Sequence, residues 1–82
     1  MAAELHANPN PATAGSDCEI CITGAAANSP ITIKCRDASG EVGFTIETDG
    51  DGKGCYEFTV PSGWTNFTVD GGGAPTIDVL VT

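Results

Sequence analysis

Four cysteines, Cys18, Cys21, Cys35 and Cys55, are the residues of this 82-residue chain best suited to chemistry. Cys18 and Cys21 have the Cys-x-x-Cys spacing of a zinc ligand pair, with Cys35 and Cys55 left to complete a tetrahedral site. Zinc knuckles present that pair on a turn and usually match it with a second close pair. Here Cys35 and Cys55 stand alone, and Cys18-Glu19-Ile20-Cys21-Ile22-Thr23 alternates as a strand does. Structural bridges, or simply buried thiols, are expected in place of metal. On one extended strand Cys18 and Cys21 lie roughly 10 Å apart at Cα, too far to bridge. Parity decides the remainder, because Cys18 and Cys35 both fall on inward positions and Cys21 and Cys55 on outward ones. The expected disulfides are Cys18–Cys35 and Cys21–Cys55, each worth about 2 to 4 kcal/mol.

Two other stretches carry groups of chemical interest. Asp49 and Asp51, in Asp-Gly-Asp-Gly, resemble the start of a calcium loop. An EF-hand, however, needs a third oxygen donor and a Glu at position twelve, where this chain has Val60. The expectation is a turn with two solvated carboxylates and no metal or other cofactor. The single histidine, His6, lies in the N-terminal segment, and no serine or cysteine has a neighbour to activate it, so a non-enzymatic protein is expected. Asn66-Phe67-Thr68 matches a glycosylation sequon, which matters only on a secretory route.

Charge narrows the partners. Eleven acidic residues against three basic ones give a net charge of −8, a field that repels phosphate backbones and anionic lipid. Neither nucleic acid nor a membrane surface is therefore expected as a partner. No apolar run approaches the roughly 20 residues of a membrane span. Met-Ala-Ala-Glu-Leu-His-Ala lacks the basic start and apolar centre of a secretion signal, which implies synthesis inside a cell. Four cysteines in so small a chain nevertheless suit an oxidising environment. Both features suit a protein made in the cytosol that works outside it, as virus-particle components do.

The elements that must position these residues are strands. Val42, Phe44 and Ile46 alternate with polar neighbours, as do Tyr56, Phe58 and Val60, and the acidic glycine turn between them reads as a β-hairpin. Earlier in the chain, Cys18, Ile20 and Ile22 alternate inward, then Ile31, Ile33 and Cys35, with a second hairpin turning near residues 25 to 29. Asp37-Ala38-Ser39-Gly40 is a turn. Later, Thr65, Phe67 and Val69 face in, followed by Ile77, Val79 and Val81. Spacings of about ten residues and the absence of a helical pattern give an all-β, antiparallel sandwich of six to seven strands, marginal in its core at this length. Residues 1–14, with Pro9, Pro11 and several alanines, read as an extended N-terminal arm or irregular edge strand, and residues 15–82 as the domain. By parity Trp64, Leu80, Lys34 and Arg36 point outward and make an apolar, locally basic patch. With Leu5 of the arm, that patch is the expected partner-binding surface; the alternative is that Trp64 caps one end of the core.

Asn10-Pro11-Ala12-Thr13-Ala14-Gly15, the turn Thr48-Asp49-Gly50-Asp51-Gly52 and the run Tyr56-Glu57-Phe58-Thr59-Val60-Pro61 together resemble bacterial and phage immunoglobulin-like domains. In that family a proline-alanine-glycine entry and a TDxxGxYxFTVP hairpin recur. The resemblance covers most of residues 8 to 82, and its motifs specify turns and alternation rather than chemistry. It implies a small immunoglobulin-like β-sandwich used for adhesion, as a spacer, or to decorate phage particles. With the initiating Met and the single small domain, the expectation is a capsid cement or decoration protein. It would lie on the virion surface, bound to the major capsid protein and open to homo-oligomer formation. The alternative is an adhesion or carbohydrate-binding module of an extracellular, bacterial surface protein.

Overall fold

Period-two alternation builds seven strands, and the described residues contain no helix. The structure is a computed structural model and describes residues 2–82. The strands are β1 (Glu4–Asn8), β2 (Asp17–Thr23), β3 (Pro30–Asp37), β4 (Gly40–Glu47), β5 (Gly54–Thr59), β6 (Asn66–Gly71) and β7 (Ala74–Leu80). They form a three-stranded sheet in the order β1-β2-β5 and a four-stranded sheet in the order β4-β3-β6-β7. Every strand pair is antiparallel.

The two inner faces supply the core. Cys18, Ile20 and Ile22 from β2 and Phe58 from β5 meet Ile33 and Cys35 from β3, Ile46 from β4, Phe67 and Val69 from β6 and Val79 from β7. Phe67 is fully buried, its ring 5.6 Å from that of Phe58 and 5.5 Å from that of Trp64, centre to centre.

The expected hairpins at 25–29 and 48–54 are not hairpins. β2 and β3 lie in different sheets, as do β4 and β5, so both connections are arches from one layer to the other. Alternation looks the same in either arrangement. In one sheet the apolar faces of β4 and β5 would lie side by side and need a further cover, whereas across an arch they cover each other. The two arches also lean together, with Ala25 N–H donating to Gly52 carbonyl at 3.1 Å, Asn28 N–H to Asp49 carbonyl at 2.9 Å and Thr48 N–H to Ser29 carbonyl at 3.0 Å. Gly52 has φ +75°, and a Cβ there would run into the Ala25 carbonyl oxygen, so this crossing requires glycine.

Thr48 anchors the same junction and is the only buried polar residue among those described. Its hydroxyl donates to Ala26 carbonyl at 2.6 Å and accepts from Ser29 N–H at 2.9 Å. Thr48→Val keeps the shape but strips both partners. The expected loss is about 1–3 kcal/mol, read as a lower urea midpoint at unchanged m-value.

The turn at Asp37–Gly40 does form, as the β3–β4 connection. One Asp37 carboxylate oxygen accepts from Ser39 N–H at 2.8 Å, and the other from Thr65 N–H at 3.0 Å and Asn66 N–H at 3.2 Å. Those bonds, led by the one from Ser39, hold the carboxyl below its ordinary range and tie the hairpin tip to the start of β6.

Of the two readings of the N-terminal segment, the edge strand is the one that forms, and the extended arm is not. Residues 4–8 pair along β2 as the edge of the three-stranded sheet, Ala3, Leu5 and Ala12 are buried, and Ala12 bridges Val81 in parallel beside β7. The chain thus passes from one sheet to the other along one side, and the boundary placed at residue 14 does not separate two units. The short alternation of Leu5 and Ala7 is a weak strand signal by itself, and packing against the core completes it.

Candidate interaction surface

The structure does not assemble the patch expected from parity. Trp64 is buried, with its ring 5.8 Å from Phe58 and 5.5 Å from Phe67. It lies in the turn after Pro61, where its N–H donates to Pro61 carbonyl at 3.3 Å, and β6 begins only at Asn66. Strand parity cannot be extended through that turn. Leu5 is 4 % exposed and belongs to the core. Arg36 is exposed but taken, since Nε donates to Glu41 at 2.6 Å and the guanidinium reaches Asp70 at 2.8 Å. Lys34 and Leu80 do lie on the outer face of the four-stranded sheet. Lys34 is opposite Asp70 and Leu80 opposite Asn66, which separates their rows by about 13 Å along β6.

Of the two expected bridges, one is present. Cys21 and Cys55 lie directly opposite each other in the β2–β5 ladder and are bonded, across a sequence separation of 34. Cys18 and Cys35 are free and buried. Their expected pairing assumed that β2 and β3 form a hairpin, and the two strands lie in opposite layers instead. Burial pushes the Cys18 thiol up, and it pushes that of Cys35 up to about 12, with nearby Cys18 and Asp70 adding to the effect. Both are neutral packing residues at ordinary pH. The Glu19 carboxylate lies within 4.8 Å of the Cys21 and Cys55 sulfurs. Those sulfurs are joined to each other, which leaves no thiolate there for a metal.

The outer face of the three-stranded sheet is acidic. Glu19 stands directly opposite Glu57, beside Asp17 and Thr59, and like charges in that relation oppose sheet formation. The strain divides the carboxylates. A 2.7 Å hydrogen bond from the Thr59 hydroxyl, then one shared with Glu57, holds Asp17 below its ordinary range; the hydrogen bond to Asp17 and then its charge push Glu57 up. The raised Glu57 therefore contributes stability at low pH that is lost as pH rises through its folded value. Asp17 contributes stability at higher pH that is lost as pH falls through its own. Carboxyl-carbon NMR titration is expected to place Glu57 above 4.5 and Asp17 below 3.8, and the reverse order would refute the assignment.

Asp49 closes the second arch from within. One carboxylate oxygen accepts from Asp51 N–H at 2.9 Å and Lys53 N–H at 3.0 Å. The bond from Lys53, then that from Asp51, holds its carboxyl low, so Asp49 serves the loop backbone. Asp51 and His6 are exposed, the latter on β1 opposite Cys21.

A feature that the sequence analysis missed lies on the side opposite the β1–β7 closure. β4 and β5 are each the outer strand of their sheet, with a single neighbour apiece. Phe44 and Tyr56 bridge the layers there, stacked at 4.2 Å with planes 10° apart, and Tyr56 is 43 % exposed. Glu41, Thr45 and Glu47 line one rim and Glu57 and Thr59 the other. The available signal was that β4 is long and alternating, without the proline or lysine that commonly protects an edge. Sequence does not say which strand is an edge, and so the signal could not be used.

These features define a seven-stranded, two-sheet β-sandwich stapled by one disulfide. Comparison with protein families, with curated proteins and with solved structures finds no match for the chain.

Proposed function

We propose that this protein is a non-enzymatic, immunoglobulin-like module that works by contact, as a cement or decoration protein on the shell of a phage particle. The observation that carries the reading is the open β4–β5 side, where an eight-residue strand with one edge free and a half-exposed aromatic stack adjoin on a disulfide-stapled body. An edge of that kind offers backbone hydrogen bonds and apolar surface to another chain. The strand order supports the family part of the reading. With the strands lettered in the immunoglobulin manner, β1-β2-β5 over β4-β3-β6-β7 corresponds to A-B-E over C′-C-F-G, an arrangement built from Greek-key connections. The acidic surface favours solubility and steers the protein toward basic partner surfaces.

The test is to fractionate lysate of the source culture on a density gradient and follow peptides of this chain by mass spectrometry. Co-sedimentation with DNA-filled particles, at a fixed ratio to a major shell protein, is the expected result. Recovery with cell envelope or free secreted protein would replace this reading with a surface adhesion module.

A further inference from the structure

The four outer strands are not equally protected. β1 is five residues long and runs into Pro9; β7 carries Pro75, and its ladder with β6 shifts register between Val69 and Gly71. β5 is covered at its start, where Gly54 abuts Ile46 and Glu47 so closely that a Cβ would lie 2.5 Å from the Ile46 side chain. β4 shares only that last contact, at its C-terminal end, and is otherwise without these devices. Its register with β3 is unbroken from Gly40 to Glu47, it contains no proline or lysine, and its other side has no strand neighbour.

We propose that β4 takes up an extended, basic segment of the partner protein as an added strand, with Lys or Arg on its outward positions and apolar residues on its inward ones. The pattern follows from what each position would touch. On the solvent face an added strand runs beside Glu41, Gly43, Thr45 and Glu47; on the inner side it runs beside Val42, Phe44 and the Tyr56 ring. Charge selects this occupant over a second copy. Antiparallel pairing of β4 with itself about Phe44 would set Glu41 against Glu47 at both ends, between chains that each carry −8. Of the two basic residues on β3 beside this edge, Arg36 is already held by Glu41 and Asp70, and Lys34 stands opposite Gly43, so the basic positions of the added strand belong beside Glu47 at the far end of β4. The inference rests on the contact function proposed above and names the chemistry of its partner.

The probe is a short synthetic peptide alternating valine and lysine, added to the 15N-labelled, disulfide-intact full chain. Amide shifts and slowed hydrogen exchange are expected to centre on residues 40–47. Thr45→Lys, at an exposed position, is expected to weaken binding at least about tenfold while leaving core resonances in place. Glu47→Lys supplies an independent variant with the same expectation. The inference is overturned if a peptide N-methylated at alternate backbone nitrogens binds equally well, since it cannot form a ladder. It is also overturned if the shifts centre on Asp17, Glu19 and Glu57, or if the chain dimerises through β4 in preference to binding peptide. Peptide docking on β4 by a chain absent from particles would keep the edge and remove the particle reading. Particles that retain the Thr45→Lys chain undiminished would do the opposite.

Discussion

Phe67→Ala is expected to remove about 3–5 kcal/mol of stability, in a chain of a size whose total is about 4–12 kcal/mol. The ring is fully buried where β6 faces β5, and both Phe58 and Trp64 lean on it at under 6 Å between ring centres. Removing it deletes apolar burial and leaves a cavity that neither neighbour can fill without leaving its own contacts. The thermal midpoint is expected to fall by at least about 12 °C. Trp64 gives the site-specific readout, because a loosened pocket shifts its emission to the red before global unfolding. Phe44→Ala is the contrast. Phe44 is half-buried at the open edge, so its loss is expected to cost less and to leave Trp64 emission unchanged. Equal costs for the two variants would mean that the core is not centred on Phe67.

Reduction of Cys21–Cys55 is expected to cost up to about 4 kcal/mol on the chain-entropy account, since the bridge closes a loop of 34 residues between neighbouring strands. It staples β2 to β5 on the solvent-facing side of the smaller sheet, so a mild thiol reductant should reach it. Intact mass is expected to rise by two hydrogens, one bridge's worth, while Cys18 and Cys35 resist alkylation until the fold is opened. A gain of four hydrogens would restore the second bridge and overturn this assignment. The paired replacement of Cys21 and Cys55 by serine should reproduce the stability loss without leaving a reactive odd thiol.

Much of the fold was legible because side-chain direction alternates by local geometry. Ile20, Ile22, Ile33, Phe58, Phe67, Val69 and Val79 all face inward as the period of two requires, and the Asp37–Gly40 turn forms where its residue types place it. The Cys21–Cys55 bridge was equally legible, since two outward cysteines on neighbouring strands have one natural partner. The reading failed at the two connections where strands consecutive in the chain lie in different sheets. The same error produced the hairpin at 48–54 and the Cys18–Cys35 bridge, because an arch and a hairpin share one alternation and one set of glycines. Trp64 failed for a related reason: parity is a property of continuous strand, and the turn after Pro61 resets it.

By itself, then, the sequence determined the strands, their inner faces, the acidic surface and one disulfide, all consequences of local backbone geometry and residue type. Only the tertiary structure decided the sheet order, the burial of Leu5 and Trp64, the pairing of Arg36 with Glu41 and Asp70, and the open β4 edge. Those depend on how two apolar faces cover each other across the sandwich. That choice is made by long-range burial, and no short stretch of chain contains it.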